Sequence, residues 1–205
     1  MNSSKVIAEI LLKEKAVFLR PQDLFTWTSG IKSPVYCDNR LLISTVDSRQ
    51  TIVSSFCETI RSMNVDVIAG TATAGIPWAA WIAMEMKLPL VYVRSSSKDH
   101  GRQNAIEGQI SKGKSVVLIE DLISTGKSSI AAAQKLQESG VEVKSVISIF
   151  NYGFSQAAEV FSKATLPFKS LTDFETLAHV AVEQKYMDPQ SLQQVLEWKK
   201  GVIFP

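Results

Sequence analysis

Apolar residues recur along the chain with two different periods. Val6, Ile7, Ile10 and Leu11 share one helical face behind Ser3 and Ser4, either of which suits a cap. Residues 46–62 read as a second helix after Thr45. The run DVIAG at 66–70 is short, apolar and closed by Gly70, the pattern of a buried strand. GIPWAAWIAMEM at 75–86 then reads as a helix with Pro77 in its first turn. LVYVR at 90–94 and SVVLIEDL at 115–122 are strands. GKSSIAAAQKLQES at 126–139 is a helix stopped by Gly140, and VEVKSVISIF at 141–150 is another strand. Thr172 and Glu175 have capping-box spacing for a helix through about Lys185. Asp188-Pro189 opens a last helix carrying Leu192, Val195 and Leu196. Continuous apolar strands separated by helices predict an α/β fold, a parallel sheet flanked by helices on both faces. Ligands of such sheets sit at the carboxyl ends of the strands, which directs attention to 71–75, 94–108 and 120–127.

Composition narrows the class. Of 205 residues, 45% are hydrophobic and 20% charged, which excludes a disordered chain and fits one domain over residues 1–205. The most apolar stretches, such as IPWAAWIAM at 76–84, are about half the ~18 residues of a membrane span. The N-terminal MNSSKVIAEILLKEK contains an acid and no small-residue cleavage site, so a cytoplasmic protein is expected. Cys37 and Cys57 have neither C-x-x-C nor zinc spacing and are expected as reduced thiols, one of them in the core. A net charge of +2 gives no argument for nucleic acid. The charge is uneven, however. Segment 94–114 holds Arg94, Lys98, Arg102, Lys112 and Lys114 against Asp99 and Glu107, together with His100.

The strand VVLI at 116–119 runs into Glu120-Asp121 and then LISTGKSS. A Ser124-Thr125-Gly126-Lys127-Ser128 turn entering a helix presents backbone N–H groups and hydroxyls suited to a phosphate. The two carboxylates would repel that phosphate and suit neutral hydroxyls or a metal beside it. A ligand with a phosphate at one end and a diol next to it, such as ribose 5-phosphate, satisfies both. A Walker A loop is rejected, because its first glycine would fall at Asp121, an anion facing the phosphates.

VVLIEDLISTGKSS at 116–129 resembles the signature of type I phosphoribosyltransferases. The resemblance implies that Glu120 and Asp121 bind the ribose hydroxyls of 5-phosphoribosyl 1-diphosphate (PRPP). The 5′-phosphate would lie on the loop of Leu122, Ile123, Ser124, Thr125, Gly126, Lys127 and Ser128. Three further segments are similar to orotate phosphoribosyltransferases. FTWTSGIKSPVYCDNR at 25–40 matches their N-terminal substrate segment, a small hood, in which Tyr36 would stack on orotate with Ser124 nearby. DVIAGTATAGIP at 66–77 matches the turn that touches pyrophosphate, through Thr71, Thr73 and Gly75. RSSSKDHG at 94–101 matches the R-x-x-x-K-x-H-G loop through Arg94, Lys98, His100 and Gly101. Against the enterobacterial branch, lysines are replaced by Thr28, Ala74 and Ser95, and an orotate-binding arginine falls near Tyr152.

The resemblance implies transfer of phosphoribose from PRPP to orotate in pyrimidine synthesis. Lys98 would be the main catalytic cation, with Arg94 and His100 clamping pyrophosphate. It implies Mg²⁺ carried by PRPP rather than by direct protein ligands. It also implies a homodimer whose catalytic loop serves the partner's site, and no nucleic-acid or membrane partner. Other pyrimidine or purine phosphoribosyltransferases would share 116–129 without needing SGIKSP or the basic loop. A PRPP-sensing regulator would carry a DNA-binding domain, and the roughly 20 residues before the substrate segment do not hold a helix-turn-helix. His179 reads as structural. Trp27, Trp78, Trp81 and Trp198 read as packing residues, Trp27 being the one beside the substrate segment.

Overall fold

The computed structural model describes residues 3–27, 29–94 and 105–202. Its elements begin with α1 (Ser3–Lys13), β1 (Val17–Leu19), β2 (Phe25–Thr26), β3 (Lys32–Ser33), β4 (Val35–Cys37), a 3-10 helix (Asn39–Ser44) and α2 (Val46–Arg61). The central stretch follows as β5 (Val67–Thr71), α3 (Gly75–Met86), β6 (Leu90–Val93), β7 (Ile106–Glu107), β8 (Ser115–Ile123), α4 (Lys127–Glu138) and β9 (Glu142–Asn151). The chain continues through α5 (Ser155–Lys163), β10 (Phe168–Asp173), α6 (Phe174–Glu183) and α7 (Pro189–Gly201).

Six strands form the main sheet in the order β10-β9-β8-β5-β6-β7. Neighbours are parallel except β7, which runs antiparallel to β6. Alternate strand residues feed two cores. Ile68, Val117, Ile119 and Ile147 pack with α1, α2, α3 and α6, while Ala69, Val116, Leu118 and Val146 pack with α4 and α5. Burial on both faces is why these strands read as unbroken apolar runs. From β5 the chain winds outward to β6 and β7, then returns to lay β8 on the other side of β5. The winding reverses between β5 and β8, and a crevice opens at their carboxyl ends.

Two local expectations change and two hold. The cap of α6 is Asp173, whose side chain accepts from Thr176 N at 2.8 Å, so Thr172 and Glu175 form no capping box. Thr172 is instead a buried residue of β10. Ser4 lies inside α1 and donates to the Thr172 hydroxyl at 3.1 Å. Asp188 does cap α7, accepting from Ser191 N at 2.9 Å. Both cysteines are free, with Cys57 in the core.

Candidate active site

Strand β8 outruns its neighbour. Its pairing with β5 ends at Gly70↔Ile119, whereas its pairing with β9 continues to Ile123↔Asn151. Residues 120–123 therefore have a strand on one side and the crevice on the other. The start of α3 sets how close that crevice comes. A Cβ on Gly75 would stand 2.4 Å from the Ile119 carbonyl oxygen, so only glycine lets helix and strand approach this closely. The intervening turn includes a cis peptide bond between Ala72 and Thr73.

Glu120 and Asp121 belong to β8, as expected of a strand over 115–122, so their side chains leave opposite faces of it. Glu120 is 5% exposed and accepts from Ser129 Oγ, on α4, at 3.0 Å. Burial, then the charge of Asp121, pushes its pKa up to about 7. The buried Thr71 hydroxyl beside it, with Ser129, works against that rise. Asp121 looks toward the 3-10 helix, whose Asn39 side chain donates to the Asp121 carbonyl at 2.7 Å. Burial raises the Asp121 pKa to about 6, against the stabilising pull of its local backbone amides and Arg40. Arg40 is engaged in a two-bond pair with Asp38, at 2.7 and 2.8 Å, which holds the Asp38 carboxyl below its usual range. The acids are thus two carboxylates held in unfavourable surroundings, which incoming hydroxyl donors or a cation would relieve.

Beyond Ile123 the chain turns into α4. Gly126 is the cap residue, with φ +77°, and no side chain caps the helix. Its first N–H groups are left without the side-chain partner that Asp173 and Asp188 give to α6 and α7. Lys127 and Ser128 are exposed, and Ser124 and Thr125 are half-buried at the crevice. The Ile123 side chain is in the core against α4 and α5, which leaves its backbone as the part that can meet a ligand.

The N-terminal segment forms two small ribbons, β1 with β4 and β2 with β3. They cover a cavity of about 450 Å³ lined by Trp27, Ser29, Tyr36, Cys37, Leu122, Ser124, Thr125 and Tyr152. None of these lining residues is Asp, Glu, Lys, Arg or His. Tyr36 is 41% exposed and Trp27 tilts against Tyr152 at 5.1 Å. The predicted Tyr36 and Ser124 meet here. Trp27, read from sequence as packing, is both packing and lining. Asn39 is a residue of this site that sequence reasoning does not single out, although it stands in the VYCDNR run of the hood segment; Leu122, expected at the phosphate, and Tyr152, noted from sequence only as standing near an orotate-binding arginine, both line this cavity. A larger cleft of about 750 Å³ lies along β10, but among its lining residues Lys5 pairs with Glu183 at 2.9 Å and Lys199 with Glu175 at 3.8 Å. His179 is exposed on α6 and lines this cleft.

Arg94 ends β6. Its amide donates to Ala105 O at 2.9 Å, its guanidinium pairs with Glu107 at 3.1 Å, and its carbonyl accepts from Lys135 at 2.8 Å. These contacts close the base of the basic loop. Lys98, His100, Gly101, Ser95 and Thr28 lie outside the described residues.

A family model described as "Phosphoribosyl transferase domain" matches residues 50–169. The orotate phosphoribosyltransferase of Listeria monocytogenes (serotype 4b, strain F2365) is 48% identical over 203 residues, covering 98% of this chain and 97% of that protein. Among solved structures, UMP synthase from Leishmania donovani has a TM-score of 0.83 at 28% identity. It covers 97% of this chain, which spans only 42% of that longer protein. Orotate phosphoribosyltransferase from Aeropyrum pernix has a TM-score of 0.73 at 27% identity, covering 88% of this chain and 99% of that one. With an acidic pair and an uncapped turn on the overhang of β8, and a near full-length relative at this identity, the chain belongs to the orotate phosphoribosyltransferases, within the type I phosphoribosyltransferase fold.

Proposed function

We propose that the protein transfers the 5-phosphoribosyl group from PRPP to orotate, giving orotidine 5′-monophosphate and pyrophosphate on the way to UMP. The observation that carries this reading is the overhang of β8. It sets Glu120 and Asp121 beside a helix start with no side-chain cap and beside an aromatic-lined cavity of about 450 Å³. The acids take the ribose hydroxyls and the 124–128 turn takes the 5′-phosphate. The cavity between Trp27, Tyr36 and Tyr152 takes the pyrimidine.

Displacement at the anomeric carbon develops positive charge on the ribose and negative charge on the departing diphosphate. The protein's work is positioning and stabilising that separation. Orotate can lose its N1 proton before reaction, so no general base is required. Lys98 is the main cation for the leaving group, with Arg94 and His100 as its clamp. A magnesium ion carried by PRPP would supply charge neutralisation at the diphosphate. Among the described residues no three His, Cys, Asp or Glu side chains gather as a metal cage, and Glu120 and Asp121 are the carboxylates that would face such an ion. We read residues 1–205 as one domain of a cytoplasmic homodimer. Among the described residues no helix is long and apolar enough to cross a membrane.

The test is pyrophosphate release with orotate, PRPP and Mg²⁺, against adenine, hypoxanthine and uracil as poor acceptors. Equal turnover of uracil would overturn the orotate assignment. For the shared loop, Lys98→Ala protein is mixed with Asp121→Asn protein. Half the dimers are then mixed and hold one intact site each, so activity recovers to about a quarter of wild type. No recovery, with exchange of subunits verified, means that each loop serves its own site.

A further inference from the structure

The hood is too small to hold its own shape. Strands β2 and β3 have two residues each, and a two-stranded ribbon is marginal in water even when longer. Two of its carbonyls are satisfied from α7. Trp198 Nε1 donates to Lys32 O at 2.8 Å, and Gln194 Nε2 donates to Pro21 O at 3.3 Å. The two donors are four residues apart and so share one face of the helix. The Trp198 ring also meets Trp27 edge-on at 5.9 Å, Phe154 at 6.0 Å and Phe174 at 5.9 Å. Trp27 spends its own indole N–H on Val35 O at 3.1 Å, which fixes the ring's polar edge and leaves its position along the cavity to the rings around it. Helix α7 is itself secured by the Asp188 cap and the buried Val195.

We propose that α7 is a strap that positions the pyrimidine pocket, with Trp198 as the positioning residue for Trp27 and Gln194 as its support. Trp198 does not line the pocket. It acts through Trp27 and through the carbonyl of Lys32. The strap belongs to neither the acid pair nor the phosphate turn, so it affects one substrate and not the other. The identity of that substrate rests on the function proposed above; the mechanical link does not.

The experiment compares wild type, Trp198→Phe and Trp198→Ala. The phenylalanine variant keeps a ring and removes only the donor to Lys32, so it remains informative should the alanine variant fail to fold. Expected for Trp198→Phe is an orotate KM raised roughly three- to five-fold, with PRPP KM and kcat within about two-fold. Expected for Trp198→Ala is an orotate KM raised at least about ten-fold with the same selectivity. Hydrogen exchange without substrate supplies the second reading. The amides of Trp27, bonded to Ile31 O at 2.9 Å, and Gly30, bonded to Trp27 O at 2.8 Å, should lose protection in both variants. Unchanged exchange at these amides, or a PRPP KM rising in step with that of orotate, would overturn the strap. If wild type fails to turn over orotate, the functional reading falls, and exchange alone decides the strap.

Discussion

The overhang of β8 and the N-terminal hood face each other across one crevice and are built by different means. The overhang is backbone architecture. It is an extension of a sheet strand, paired to β9 throughout, with its acids fixed by register. The hood is side-chain architecture, made of ribbons two or three residues long held by indole and hydroxyl hydrogen bonds to carbonyls. The difference suits the tasks proposed for them. Ribose and phosphate present the same shape to every enzyme that uses PRPP, so a rigid sheet edge serves. The base differs from enzyme to enzyme, and a pinned loop changes its pocket without disturbing the sheet.

If the division is real, damage to each side should be selective. The largest effect is expected from Asp121→Asn. It should slow turnover and weaken PRPP use by about 10- to 1,000-fold, roughly 1.4–4 kcal/mol for charge-assisted bonds to hydroxyls. Steady-state kinetics with both substrates varied would show this, and an equal loss in orotate KM would break the comparison. Next comes Glu120→Gln, which should separate function from stability. A carboxyl whose pKa is raised by folding keeps protons that the unfolded chain has released. With Glu120 at about 7 against 4.5 and Asp121 at about 6 against 3.8, substrate-free stability should fall as pH rises from about 4 to 7. Glu120→Gln should remove much of that slope and stabilise the protein at pH 7 by about 2 kcal/mol, while impairing PRPP use. Denaturant melts across that range would test it, and a variant destabilised at pH 7 would mean the Ser129 bond outweighs the burial of charge. Asp66, held down to about 2 by its Ser115 bonds, loses its contribution only below about pH 4 and does not confuse the window. The smallest effect belongs to the hood. Trp27→Leu should raise orotate KM about ten-fold, about 1.4 kcal/mol, and leave PRPP KM alone. A matching rise for PRPP would mean that the hood also shapes the ribose site.

The same contrast explains what the sequence discloses. β8, α4 and α3 were legible to within a residue or two because burial on both faces writes a long apolar run, and Gly75, Pro77 and Gly140 punctuate it. The acids stood out for breaking such a run. Their depth did not, since whether β8 continues past β5 depends on where β5 turns away. The hood hides for the opposite reason. Two-residue strands have no period, and the bond from Trp198 to Lys32 spans 166 positions with no local trace. β10 alternates weakly at a sheet edge, with only Leu171 and Thr172 buried, so the sequence announces no strand there, and the cap expected at Thr172 falls one residue before the real one at Asp173.

Gly75 carries a consequence for anyone who would redesign this enzyme. Gly30 and Gly113 have nothing within 4 Å of a would-be Cβ, and their demand is only for a left-handed backbone, which asparagine can meet. Gly75 demands the absence of an atom, because the Ile119 carbonyl already occupies the space at 2.4 Å. Its alphabet has one letter. A library that randomises the crevice should leave 75 untouched and draw its diversity from the hood, since any side chain there would part α3 from β8 and widen the mouth of the site before a substrate arrived.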